Sequence, residues 1–210
     1  MSWPEAWRAS WPEAWRASWA ELGARADDAL LETLVARYRE PQRHYHTLQH
    51  LEECLAEFAR ARALAERPAE VELALWFHDA IYDVRGSDNE ARSAVWARDA
   101  LLDAGAARDA AERVHELVMA TRHDAEPVSA DARLLVDVDL AILGAPRERF
   151  EEYEAQVRAE YAWVPLFLFR TKWREILSVF LARPRIYSTE SFHARLEARA
   201  RENLARALDA

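Results

Sequence analysis

A chain of 210 residues with 51% hydrophobic side chains and only 4 glycines can form one substantial core and is poor in turns. Its formal net charge of −9 excludes non-specific nucleic-acid binding through clustered Lys and Arg. Cys54 is the single cysteine, which excludes an intramolecular disulfide. No run approaches the roughly 18 apolar residues of a membrane span, and the N-terminus lacks a basic start followed by an apolar run, so a cytoplasmic protein without membrane partners is expected. Alanine, leucine, arginine and glutamate dominate and no alternating Val/Ile/Thr run occurs, which predicts an all-α fold.

The chain opens on a tandem repeat. Ser2 to Ala9 reads SWPEAWRA, Ser10 to Ala17 repeats it, and Ser18 starts a partial third copy, SWAEL. Five of the 9 tryptophans lie here: Trp3, Trp7, Trp11, Trp15 and Trp19. Pro12 lacks the N–H that a continuous helix needs and is expected to interrupt one. We expect a Trp-rich extension over 1–18, with only the last copy packed, and a single domain over 19–210.

The first helix of that domain is predicted from about Trp19 to Tyr38, stopped by Pro41. The second begins after Thr47, a plausible N-cap, and carries Leu51, Cys54, Leu55 and Phe58 on one stripe. The third follows Pro68 and contains the apolar run LALWF. Ser87 and Glu90 suggest a capping box for the fourth, which stops at Gly105. A fifth covers roughly 108–121, a sixth 130–143 with Gly144 beyond it, and a seventh starts at Pro146. Pro165 precedes an apolar eighth reaching Leu181, and a ninth follows Ser188-Thr189.

Ionisable residues interrupt three of these apolar stretches. Histidine and aspartate are costly to bury unless paired or bound to a metal. His78 and Asp79 sit side by side in LALWFHDAIYD, where a small cation between them would explain both; a carbonyl-bonded His and an Arg-paired Asp would also do so. His46 and His50 are four apart. With Thr47 as N-cap, His50 falls in the first turn as a rigid ligand, and His46 lies just outside, placed as a proton donor. On the sixth helix, Asp137 shares a face with Arg133, whereas Asp139 has Leu135, Val136, Ile142 and Leu143 at its three- and four-residue spacings. Asp139 is therefore the expected ligand on grounds of burial. Two imidazoles and two carboxylates suit Mn, Fe, Co, Ni or Zn, with Mg admissible at a second position. Water on such an ion is the expected nucleophile.

The order His … His-Asp … Asp on separate helices resembles the HD-domain superfamily of metal-dependent phosphohydrolases. Tyr45 to His50, Phe77 to Asp83, Asp88 to Glu90 with Ser93-Ala94, and Asp137 to Gly144 are similar to the YHxLxH, FHDAxYD, DNE…SA and DxDLxILG segments of an uncharacterised bacterial branch of predicted HD phosphohydrolases. Phe180-Leu181-Ala182-Arg183 and Ile186-Tyr187 resemble its ending, so coverage is roughly 19–208. YHTLQH also resembles the YHNxxH segment of cyclic-nucleotide phosphodiesterases, where the second His binds metal and the first donates a proton. The resemblance implies a helical bundle with a metal site at its centre. It also implies His50, His78, Asp79 and Asp139 as ligands, His46 as acid, and a small phosphorylated substrate such as a nucleotide. Glu90 is a candidate for orienting the attacking water. His123 and Arg122 are candidates for substrate phosphate, and Lys172, Arg158 and Arg170 for further positive charge. Two other functions remain open: an HD-fold iron oxygenase, for which His115 and His123 would have to add ligands, and a non-enzymatic scaffold docking through its Trp-rich start. Oligomeric state is not set by the sequence.

Overall fold

A computed structural model describes residues 10–209. The first repeat copy, with Trp3 and Trp7, lies outside the described residues. Ten α-helices follow in chain order, and no strand occurs among the described residues. They are α1 Trp11–Glu21, α2 Asp28–Arg37, α3 Leu48–Ala61, α4 Pro68–Phe77, α5 Asn89–Asp103, α6 Arg108–Met119, α7 Ala130–Asp139, α8 Arg147–Glu160, α9 Leu166–Ala182 and α10 Glu190–Asp209. Short 3-10 turns follow α3, α6 and α7. No described helix is long and apolar enough to cross a membrane. The all-α class read from composition is what the structure has. The chain divides into two compact units, one ending at Leu135 and the other beginning at Val136.

Four boundaries differ from expectation: the sixth predicted helix gives way at Asp139 to the 3-10 turn Leu140–Gly144, and the other three differ for a local reason. Pro12 starts a helix instead of interrupting one: it lies in the first turn of α1, where its missing N–H is not needed. The predicted helix over 19–38 is two helices. Gly23, at φ 66°, closes α1, with its N–H on Ala20 O and that of Ala24 on Trp19 O. Asp27 then opens α2 by accepting from Ala29 N at 2.9 Å. The Ser87–Glu90 capping box does not form, since α5 starts one residue later with Asp88 as N-cap and no side-chain cap bond. Asn89 instead ties back to Asp83, donating to its carbonyl and accepting from its N–H.

In the first unit α4 is the central element. Ala69, Val71, Leu73, Ala74, Leu75, Trp76 and Phe77 are all buried. A helix apolar on every side must be covered on every side, and α1, α3, α5 and α6 pack around it. The second repeat copy belongs to that cover. Trp11 and Trp15 meet the Trp76 ring edge-on at 5.2 and 5.6 Å, and Trp15 lies 5.2 Å from Trp19. The expectation that only the third copy packs is thus corrected: tryptophans four apart on α1 share one face, so Trp11, Trp15 and Trp19 are buried together. Each such side chain contributes about 2–3 kcal/mol by leaving water.

In the second unit α10 packs on the turn Leu140–Gly144 and on α9. A Cβ on Gly144 would lie 2.7 Å from Leu196 Cβ, so glycine permits this close approach. Two carboxylates fix the start of α10 and the segment before it. Asp137 accepts from Ser188 N, Thr189 N and the Thr189 hydroxyl at 2.6 to 2.7 Å. Glu197 accepts from Ile186 N, Tyr187 N and Arg201 Nε.

Candidate metal centre

The site in the first unit is built where α3 begins and α4 ends. Thr47 caps α3 as expected, accepting from Gln49 N at 3.3 Å, so His50 stands in the first turn and is buried. Helix α4 ends at Phe77, which places His78 at its C-cap and Asp79 in the turn beyond. The pair is therefore not two neighbours on one helix, and the turn lets both side chains face His50.

The distances are short. His50 Nε2 and His78 Nε2 lie 3.0 Å apart, and Asp79 Oδ2 lies 3.1 Å from His78 Nε2 and 3.4 Å from His50 Nε2. Three potential donor atoms thus form a triangle. Ligands at about 2.1 Å from an octahedral ion are separated by about 3.0 Å along each cis edge. The observed edges fit that requirement.

The tautomer of His78 is fixed by its surroundings. Its Nδ1 lies 2.7 Å from Leu75 O. A carbonyl only accepts, so Nδ1 carries the proton and Nε2 directs its lone pair toward His50 in the neutral ring. Burial pushes the Asp79 carboxyl up, but when the facing imidazoles carry a second proton the charges of His78 and His46 and the hydrogen bonds from His50 and His78 outweigh it and hold the group well below the usual carboxylate range.

Supporting groups close around the turn. Buried Arg43 donates to Asp79 O at 2.6 Å, Ala80 O at 3.1 Å and His46 O at 3.2 Å, tying the entry of α3 to the exit of α4. Tyr38 donates to Trp76 O at 3.2 Å and accepts from Asp79 N at 3.3 Å. Burial pushes its phenol up, so it stays neutral. Neither residue is marked by the sequence, because an Arg in a polar loop and a Tyr at a helix end both look solvated.

Cys54 is a third omission. One turn after His50, its Sγ lies 3.7 Å from both ring nitrogens of that histidine. His50, Cys54 and His78 each offer a donor atom, all within 4.8 Å of one another. An apolar stripe on α3 conceals a thiol at this position. The Asp79 carboxylate is nearer to His50 than that sulfur is.

His46 stands beside this group. Its ring stacks on Tyr82 at 4.0 Å and lies 5.8 Å from the His50 ring, half-buried. The expected grouping of His46, His50, His78 and Asp79 is thus assembled within one unit. Glu90 lies half-buried in the first turn of α5. Arg122 is exposed, pairs with Asp124 at 3.3 Å, and lines a cavity of about 510 Å³ whose walls include none of His50, His78 and Asp79. His123 adopts φ 56° at the end of the turn after α6.

On α7 the burial of the two aspartates is the reverse of expectation. Asp137 is fully buried and Asp139 half-buried. Arg133 is exposed and donates to Pro127 O, so no solvated pair takes up Asp137. Helical spacing missed the partners because Ser188 and Thr189 are some fifty residues away in sequence. Burial pushes the Asp137 carboxyl up, against the pull of those bonds. With three donors already on its oxygens, Asp137 is committed to holding α10. Asp139 keeps its candidacy for this different reason.

Comparison with protein-family models, with curated proteins and with solved structures returns no match to this chain.

Proposed function

We propose that this chain is a metal-dependent hydrolase of phosphate esters, with His50, His78 and Asp79 as ligands; Asp139 enters as a fourth ligand on the sequence motif alone. The observation that carries the proposal is the triangle of His50 Nε2, His78 Nε2 and Asp79 Oδ2 with edges of 3.0, 3.1 and 3.4 Å. Two buried imidazoles and a carboxylate held this close favour a cation among them. The sequence order His … His-Asp … Asp and its resemblance to HD phosphohydrolases supply the reaction class. That choice rests on the motifs, since the same donor set serves other chemistries.

A divalent transition ion bound there supplies Lewis acidity toward a phosphoryl oxygen and a water activated near neutral pH. The chain's own residues do the rest. The His78 Nδ1–H bond to Leu75 O keeps Nε2 available and the ring oriented. Arg43 and Tyr38 hold the 79–80 backbone so that Asp79 cannot swing away. His46, held against Tyr82 at the edge of the group, donates the proton that the leaving oxygen needs. Cys54 beside His50 biases the choice of ion toward Zn, Fe or Co over Mg. The assignment of His123 and Arg122 to substrate phosphate, and of Glu90 to the attacking water, rests on the sequence alone.

The test is metal analysis of the purified protein followed by a phosphate-release screen over nucleotides and simple phosphate esters with Mn, Co, Ni, Fe and Zn. Retained metal in His46→Ala with phosphate release lowered about 100-fold or more supports the roles given. A protein that binds no transition ion refutes them. Bound iron with oxygen consumption and no phosphate release would select the oxygenase instead.

A further inference from the structure

Helix α9 shows a second apolar feature, on the side turned away from its own unit. Its inner face is taken: Leu177 is buried, and Trp173 stacks on Phe169 and packs against Tyr153. On the outer side Leu168 is 49% and Val179 61% exposed, with Ile176 at 37% beside them. Between Leu168 and Val179 on the same side stand Lys172 and Glu175, with side chains 73% and 59% exposed. At 100° per residue, Leu168, Lys172, Glu175 and Val179 fall within roughly 60° of arc. Their spacing of four, three and four residues is that of a coiled-coil seam.

We propose that this stripe is a homodimer interface, in which α9 pairs antiparallel with α9 of a second copy of this chain. The stripe is self-complementary in that orientation only. A two-fold axis passing between Trp173 and Arg174 sets Leu168 against Val179 of the other copy and Lys172 against its Glu175. Two apolar layers then bracket two symmetric ion pairs. Parallel pairing would set lysine against lysine and glutamate against glutamate, so the charges choose the direction. Within one chain Lys172 and Glu175 already lie 3.0 Å apart, so turning to the partner exchanges one ion pair for another. A four-layer seam is smaller than a standard interface, and the dimer is therefore concentration-dependent.

Sedimentation equilibrium of the full chain over a wide concentration range tests this directly. We expect a reversible monomer–dimer equilibrium. Val179→Asp should remain monomeric with unchanged helicity. Lys172→Glu and Glu175→Lys should each weaken association about tenfold, by setting like charges opposite one another. The double variant Lys172→Glu/Glu175→Lys should recover it, because the reversed pairs re-form across the axis. A wild-type chain that stays monomeric overturns the proposal. So does a dimer indifferent to Lys172→Glu, or a double variant as weak as the singles. Metal content and phosphate release do not enter these readouts.

Discussion

Each unit buries a cluster of ionisable side chains, and the two clusters are built in opposite ways. In the second unit Asp137 and Glu197 are surrounded by donors: backbone N–H groups, a hydroxyl and a guanidinium face their oxygens. In the first unit His50, His78 and Asp79 face one another, their ring nitrogens and carboxylate oxygen 3.0 to 3.4 Å apart, while Arg43 and the His78 Nδ1–H serve the backbone carbonyls behind. The carboxylates of the second unit are satisfied by the fold. The first cluster is satisfied by a proton or a cation. Burial alone therefore does not mark a site; what matters is what the lone pairs face.

His78→Ala should break the first cluster with the largest effect, lowering transition-metal affinity more than about 100-fold, as titration calorimetry would show. Asp137→Ala is the contrasting change. It leaves three donors without their acceptor and should lower unfolding free energy by about 3 kcal/mol in urea, with metal content intact. Should Asp137→Ala instead strip the metal from folded protein, the distinction between the clusters fails. Arg43→Ala probes the layer behind the first cluster. It removes donors from three carbonyls and should reduce metal affinity about 10-fold while destabilising by about 2 kcal/mol.

Acid should act on the second unit through Glu197. Burial raises this carboxyl, but bonds from Ile186 N, Tyr187 N and Arg201 outweigh it and hold the group below its ordinary value. A lowered carboxyl stabilises the fold above its unfolded value of 4.5 and loses that contribution as pH falls through the folded value. Unfolding free energy measured downward from pH 6 should therefore decline in wild type and more shallowly in Glu197→Gln. The smallest effect is expected for Tyr38→Phe, which leaves Trp76 O and Asp79 N without the hydroxyl and should cost about 1 kcal/mol.

Much of this was legible in the sequence, and the exceptions share a cause. Thr47 as N-cap, Gly105 as a stop, and Pro68 and Pro146 at helix starts are local signals, and the structure uses each of them, whereas Gly144 falls inside the 3-10 turn that follows Asp139 and serves the close approach of Leu196 instead. His50, His78 and Asp79 were visible because polar residues inside apolar runs demand a reason. The choice between Asp137 and Asp139 was not settled by helical spacing, because the partners of Asp137 lie far along the chain. Arg43, Tyr38 and Cys54 were hidden likewise, since each has a bland local pattern and acquires its meaning only by tertiary contact. The break at Gly23 was missed because apolar spacing continues across it.

The tryptophan cover of α4 has an optical consequence. Rings whose centroids lie 5.2 to 5.6 Å apart, as in the Trp11–Trp76, Trp15–Trp76 and Trp15–Trp19 pairs, share their electronic excitations. Coupled indole transitions give paired bands of opposite sign in circular dichroism, which vanish once the rings separate. Trp76 precedes His78 by two residues, so this chain carries an intrinsic chromophore beside its polar cluster. Its spectrum should report, without any label, whether α1 remains seated while ions or phosphate esters are titrated.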